Sequence, residues 1–236
     1  MKYIVIGFIL IGKLLGADST LKSQLDEYNA LFYKQGSVEA VQAVEDDLNE
    51  RHTLKMGQNI PKVGDKALEF TLKTIHGETF DLNNALRESP IVLFWYRGGW
   101  CPYCNIQLAY YQQYHQAIKN AGGRLVGVAP EVQSMGRVTQ QDHAIDFDLL
   151  TDTDNAVAKQ YHLVYTVQPK LLSLMDERFG LDDYYPVHKQ ELPLTVAFVI
   201  DQSGTIRYAY IDDDFRKRSE PVEIIEVLNA LKKERQ

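Results

Sequence analysis

The densest apolar stretch in the chain is residues 91–96, Ile-Val-Leu-Phe-Trp-Tyr, with no polar residue among them. A strand without polar alternation is covered on both faces, which predicts a central strand of an α/β sheet. Gly98 and Gly99 follow and allow a tight turn. Beyond them Leu108, Tyr111, Tyr114 or His115, and Ile118 recur at helical spacing, with Pro102 early in that helix and Gly122-Gly123 at its end. Helical stripes also occur at Leu21, Leu25, Tyr28 and Phe32, and at Val38, Val41, Val44 and Leu48, where Ser37 supplies an N-cap. A last stripe, Ile224, Ile225, Leu228 and Leu231, has Ser219 as its candidate cap and Pro221 in its first turn.

Shorter patterns fill the interval. Residues 69–73 and 78–82 flank Ile75-His76-Gly77 and predict a hairpin, as do 194–201 and 205–211 around Gln202-Ser203-Gly204. Residues 125–129 and 147–150 read as strands and 132–141 as a helix, and Asp154 is placed to cap a helix over 155–161. The acidic run 212–214 reads as solvated surface. Residues 162–190, with Pro169, Pro186 and the apolar Leu171, Leu172, Leu174 and Met175, read as an insertion carrying one short helix. It either covers the region of Cys101 or serves as an oligomer contact, and the pair Tyr184-Tyr185 reads as packing. Strands alternating with helices imply a sheet with parallel pairs, covered by helices. The predicted organisation is a helical N-terminal extension over 18–59 followed by an α/β domain over 60–236.

Residues 1–17 form a candidate leader. Lys2 precedes an apolar run of ten residues, 3–12, that Lys13 ends. Such a run is too short to span a bilayer, which takes about 20 residues, and fits a signal-peptide core with cleavage after Ala17. An uncleaved anchor or a helix of the fold are the alternatives. Export to a periplasmic compartment is therefore expected, and cytoplasmic or anchored placement is the alternative. Losing residues 1–17 removes Lys2 and Lys13 and no acid, so the formal charge goes from −7 to −9. An acidic chain of this kind has no electrostatic footprint for nucleic acid or an anionic membrane.

Only two cysteines occur, too few for a disulfide scaffold. Cys101 and Cys104 are three apart on the predicted first turn after the glycines. A thiol there faces unpaired N–H groups and the positive end of the helix dipole, which favour the reactive thiolate. Cys101, nearer the terminus, is the candidate attacker and Cys104 the candidate resolving thiol. Arg97, four residues earlier, adds positive charge. The competing readings are a structural disulfide, two inert buried thiols, or half of a zinc site. A zinc site needs further ligands, and the six histidines are scattered without ligand spacing. No metal or cofactor is expected.

The longer pattern is F-W-Y-R-G-G-W-C-P-Y-C-N over 94–105, D-N-A-V-A over 154–158, A-F-V-I-D-Q-S-G-T-I-R-Y-A over 197–209, and R-x-x-P over 218–221. It resembles the peroxiredoxin-like branch of the alkyl hydroperoxide reductase C and thiol-specific antioxidant (AhpC/TSA) family, in the thioredoxin superfamily. The resemblance covers about residues 60–231. It implies a thioredoxin-like α/β fold and a peroxidatic Cys101 resolved by Cys104 through a disulfide. It also implies a peroxide substrate, a thioredoxin-like reductant, and a chain compatible with a homodimer. The supporting pocket is expected from Tyr96, Arg97, Gly98, Trp100, Pro102, Tyr103 and Thr195. Where the family carries Pro and Thr before the peroxidatic cysteine, this chain has Phe94 and Gly98; where it carries a late-strand Arg, this chain has Thr195. Arg97 is the candidate substitute. Thioredoxins carry a buried Asp where this chain has Trp95, and a cis-Pro where it has Thr195. Besides a thiol peroxidase, two readings stand: a thiol–disulfide oxidoreductase acting on protein disulfides, and a non-catalytic redox-sensing redoxin. Full burial of Cys101 by the 162–190 segment would favour the sensor.

Overall fold

The structure, a computed structural model, describes residues 19–54 and 56–234. The leader expected over 1–17 lies outside the described residues. A helical hairpin comes first, α1 (Leu21–Gln35) and α2 (Val38–Thr53), with the Ser37 hydroxyl accepting from Ala40 N as its sequence position predicts. There follow β1 (Thr71–Thr74), β2 (Thr79–Asp81), α3 (Leu82–Glu88), β3 (Ile91–Trp95), α4 (Pro102–Asn120), β4 (Arg124–Ala129), α5 (Gln133–Asp142), β5 (Asp148–Thr151) and α6 (Ala156–Gln160). The chain ends through β6 (Val164–Thr166), α7 (Pro169–Phe179), α8 (Leu181–Tyr184), β7 (Glu191–Pro193), β8 (Ala197–Ile200), β9 (Ile206–Tyr210) and α9 (Pro221–Glu234).

Seven strands form one mixed sheet in the order β2-β1-β5-β4-β3-β8-β9, and β6 pairs with β7 apart from it. β3, β4 and β5 run parallel, while β8 runs antiparallel to β3. Every residue of β3 is buried, as its lack of polar alternation predicts. Helices α1 and α9 pack on α4, and α2 packs on α7. The α/β, thioredoxin-like architecture with helices on its N-terminal side is therefore the one observed.

The departures from expectation are local. Helix α3 was not predicted; Asp81 starts it by accepting from Asn84 N at 2.8 Å, directly at the end of β2. Asp154 accepts from Ala156 N at 3.2 Å at the start of α6, but it is not the N-cap residue and shares the role. Asn155 is the N-cap residue, with φ 56°, and the buried Asp152 carboxylate accepts from Val157 N at 3.2 Å and Ala158 N at 2.9 Å. The 162–190 segment holds two helices and a strand rather than one short helix. Ser219 does not cap α9; its hydroxyl lies 2.6 Å from the Tyr111 hydroxyl on α4. The acidic run 212–214 is half-buried, with Asp213 O accepting from Arg51 Nη1 at 2.6 Å. The stripe of α2 is rotated from its apolar pattern: Val38 is 87% exposed, whereas Asp47 and Arg51 are buried as an ion pair at 3.1 Å.

The Asp152 carboxylate is an interior anion whose partners include two backbone donors at the start of α6. Removing it leaves those donors buried and unmatched. Asp152→Ala is therefore expected to lower unfolding free energy by about 2 kcal/mol, read as a lower urea midpoint at unchanged slope.

Candidate active site

Strand β3, an interior strand between β4 and β8, delivers the chain past its C-terminal end to Arg97, where the turn begins. Gly98 has φ 134°, and a Cβ there would lie 2.7 Å from the Tyr185 hydroxyl oxygen, so no other residue serves. Gly99 packs against the Thr139 side chain with no room for a Cβ, and its N–H donates to Glu131 Oε2 at 2.9 Å. Glu131 is buried and also accepts from the Tyr96 hydroxyl at 2.6 Å and from Thr139 Oγ1 at 3.2 Å. Burial pushes the Glu131 carboxyl up, and these three donors oppose the shift. On the other side of the turn, the Tyr185 hydroxyl donates to Arg97 O and accepts from Trp100 Nε1. Asn105 Nδ2 closes the loop onto Gly99 O at 2.8 Å. Cys101 is the N-cap residue of α4 and Pro102 its first residue, so Cys104 falls within the first turn.

Both sulfurs are fully buried. Arg97 Nη2 donates to Cys101 Sγ at 3.2 Å, and Arg97 N donates to Cys104 Sγ at 3.4 Å. From the far end of the chain, Arg218 Nη2 reaches Cys104 Sγ at 3.5 Å. Burial alone would push the Cys101 thiol up. The hydrogen bond from the Cys104 thiol, the charges of Arg97 and Arg218, and the Arg97 donor outweigh it, and Cys101 is held well below the ordinary thiol range. Burial pushes Cys104 up, and the neighbouring Cys101 thiolate adds to this. The pair thus divides into a group that favours the thiolate, Cys101, and one that favours the thiol, Cys104, in hydrogen-bond contact.

Arg97 is 3% exposed and held mostly by aromatic rings. Its guanidinium carbon lies 3.9 Å from the Phe215 ring centroid and 4.9 Å from that of Trp100. Nη1 is 3.5 Å from the Tyr165 hydroxyl, and Nε has no hydrogen-bond partner. The N-terminal hairpin supports this arrangement. Arg51 lies 4.4 Å over Tyr165 and 5.3 Å from Phe215, and Arg216 bonds Glu45 at 2.9 Å, so α2 grips the loop that carries Phe215 and Arg218.

A cleft of about 980 Å³ opens beside the turn that carries the cysteines, lined by their neighbours and not by the cysteines themselves. Tyr28, Phe32, Leu171, Met175 and Phe215 form walls; Arg97, Trp100, Pro102 and Tyr103 form the floor. Tyr103 donates to Asn29 Oδ1 at 2.9 Å and meets Tyr28 edge-on at 4.9 Å. The Tyr28 hydroxyl is pushed up to about 12 by burial and by the Cys101 charge, with Arg178 opposing. The cleft therefore reaches the residues on either side of Cys101 but not its sulfur, and two segments flanking the central sheet build it, the N-terminal hairpin and α7.

Of the residues expected at the site, Cys101, Cys104, Arg97, Gly98, Trp100, Pro102 and Tyr103 come together. Tyr96 does not line the cleft; it points to Glu131 and supports the turn from below. Thr195 is buried just before β8, outside the cleft lining, and its hydroxyl has no hydrogen-bond partner. Sequence reasoning missed Arg218, Phe215, Glu131, Tyr165 and Tyr185. The R-x-x-P segment held Arg218 in view without its role. The other four give no local signal, because the site atoms they contact, on Arg97, Gly99 and Trp100, lie at least 32 residues away.

The sequence pattern of the AhpC/TSA family matches residues 63–209. A chloroplastic peroxiredoxin Q of Triticum aestivum is 23% identical over 162 residues, 69% of this chain and 64% of its own length. The chain thus spans somewhat under two thirds of that relative. Peroxiredoxin Bcp of Bacillus subtilis is 27% identical over 100 residues, 42% of this chain and 63% of its own length. Among solved structures, peroxidoxin BcpB of Mycobacterium tuberculosis superposes with a TM-score of 0.56 at 18% identity, covering 72% of this chain and 97% of its own. The mixed sheet is the peroxiredoxin one, the glycine turn sets a thiolate at the start of α4, and the family match runs from before β1 through most of β9: the chain belongs to the AhpC/TSA family.

Proposed function

We propose that the chain is a thiol peroxidase that reduces hydrogen peroxide or organic hydroperoxides through Cys101, with Cys104 as the resolving thiol and a thioredoxin-like donor as reductant. The observation that carries this reading is Arg97. One nitrogen of its guanidinium holds the Cys101 sulfur at 3.2 Å, while its Nε–H, buried on the cleft floor, is unused. That free donor suits a peroxide oxygen and takes the place of the hydroxyl and late-strand Arg that this chain lacks. In the reaction the thiolate attacks one peroxide oxygen. An S–O bond forms as the O–O bond breaks, and the departing oxygen takes a proton to leave as water or alcohol. The Cys104 thiol then displaces water from the Cys101 sulfenic acid and closes the disulfide. Two thiols of the donor reduce it again.

Complete burial of Cys101 favours a second reading, a redox sensor that is oxidised without turnover. Tyr165 and Tyr185 of the 162–190 segment bond Arg97 and Trp100, the neighbours of that sulfur. Under the peroxidase reading a neighbouring side chain other than Arg97 must swing aside to admit substrate to the buried sulfur. Steady peroxide consumption with a thioredoxin system separates the two: the wild type is expected to turn over many times, and Cys101→Ser not at all. Cys104→Ser is expected to consume about one peroxide per cysteine and then stop. Wild-type consumption that also ends at one equivalent establishes the sensor.

The thiolate field generates a pH prediction. Cys101 is ionised below the free value of about 8.5, so its alkylation rate is expected to fall less between pH 8.5 and about 6 than that of a free thiol. Arg97→Met removes the largest attractive charge and raises that pKa. Its rate at pH 6 is expected to drop at least about tenfold and to recover by pH 9, since one pKa unit is a tenfold change in thiolate fraction. Equal profiles for the two proteins would overturn the role given to Arg97.

We further propose export with cleavage after Ala17, on the apolar run 3–12 behind Lys2. Amino-terminal sequencing of protein from a periplasmic extract is expected to begin at Asp18.

A further inference from the structure

Two guanidiniums, not one, converge on the cysteine pair, and they arrive from opposite sides of the chain. Arg97 and Arg218 are 3% and 6% exposed. Among the described residues neither has a carboxylate within ion-pair distance. Arg97 has the Tyr165 hydroxyl and the faces of Phe215 and Trp100. Arg218 donates to Gln107 Oε1 at 2.6 Å, to Lys217 O at 2.6 Å and to Phe215 O. These are neutral dipoles and π faces. The anion that two buried cations share is the cysteine thiolate, which Arg97 contacts at 3.2 Å while Arg218 holds the adjoining sulfur at 3.5 Å.

Forming the disulfide removes that anion. Both sulfurs become neutral and lose their proton chemistry, while both guanidiniums stay where they are. A buried charge deprived of its counter-ion is strongly unfavourable, so the oxidised protein carries a cost that the reduced protein does not. A couple whose dithiol form is selectively stabilised is a strong oxidant. We infer that the Cys101–Cys104 disulfide is built to give oxidising equivalents away: it oxidises dithiols of a peptide or protein to disulfides, with peroxide as the source of the oxidation. This rests on the disulfide of the proposed cycle and extends its reducing partner from a dedicated donor to dithiol substrates at large.

The step balances as follows in sulfur and electrons. A substrate thiolate attacks Cys101 Sγ; the Cys101–Cys104 bond breaks, and Cys104 leaves with the electron pair beside Arg218. The second substrate thiolate attacks the substrate sulfur of the mixed disulfide, and Cys101 leaves beside Arg97. Two electrons have passed from substrate to enzyme. One of the two substrate protons goes to Cys104, and the other goes to solvent because Cys101 stays ionised. Peroxide then reforms the enzyme disulfide, releasing one water and one alcohol or second water.

Arg218 is in this account a positioning residue for the leaving sulfur of Cys104. The test is a peroxide-free equilibration of the protein with glutathione and glutathione disulfide, with thioredoxin run in parallel and the disulfide fraction read by alkylation and mass. The wild-type equilibrium is expected to favour the dithiol by at least about 100-fold relative to thioredoxin, and Arg218→Met and Arg97→Met are each expected to return about tenfold of that. The wild type alone supplies a second readout: the reduced protein should melt at a higher temperature than the oxidised one. The oxidised protein should also transfer its disulfide nearly completely to an equimolar reduced two-cysteine peptide. An equilibrium at or beyond the disulfide preference of thioredoxin, no transfer to the peptide, or no response to either arginine substitution overturns the inference and leaves peroxide turnover untouched. Failure to form the disulfide at any glutathione ratio overturns the resolving step of the proposed cycle as well.

Discussion

A charged guanidinium buried against a charged sulfur is the constraint around which this molecule is arranged. The sulfur would not remain ionised in the interior alone, and the guanidinium would remain so only at a steep cost. Desolvation pulls each toward its neutral form, and the contact between Arg97 and Cys101 reverses that for both. Such a pair is useful only if it cannot drift apart, and the surroundings fix the arginine rather than the cysteine. Phe215 and Trp100 offer ring faces, which hold a desolvated cation by about 2 kcal/mol without competing for its hydrogen-bond donors. A carboxylate in their place would neutralise Arg97 and release the thiolate to its ordinary basicity.

The chain does bury a carboxylate close by, and its orientation is informative. Glu131 faces the turn, where Gly99 N, the Tyr96 hydroxyl and Thr139 Oγ1 occupy its oxygens. The negative charge is spent on the shape of the loop and not on the arginine. The backbone of the Gly98-Gly99 turn is therefore set by one buried acid and the Tyr185 hydroxyl, while the sulfur field is set by two buried bases. Separation of these tasks lets the loop stay rigid while one of its cysteines remains an exposed charge in all but solvent contact.

The fold was legible in the sequence where patterns are local. The unbroken apolar run of β3, the glycine turn and the stripe of α4 each state their own structure, and with them the placement of the cysteine pair. Legibility fails where partners meet only in space. On α2, Asp47 and Arg51 look like a solvated face; pairing with each other and stacking on Tyr165 turn that face inward and leave Val38 out. Helix α3 is only seven residues long, too short for a stripe to show. The 162–190 segment gave its apolar residues but not their use, since Tyr185 has meaning only against Arg97 O and Trp100. Arg218 stands 114 residues from the sulfur it touches, and no spacing rule spans that interval.

The Glu220 carboxylate accepts from Leu21 N at 3.2 Å and Lys22 N at 2.7 Å, closing the start of α1 with a residue about 199 positions later. Ser219 beside it holds Tyr111 on α4, and Arg218 before that completes the sulfur environment. A nascent chain emerges at about 5–20 residues per second, so α1, whose local N-cap is Thr20, waits some tens of seconds for this second acceptor. Until then the hairpin lacks its anchor and the cysteines lack their second cation. The second cation of the cysteine pair is thus in place only once the segment 218–220 has docked on α1 and α4.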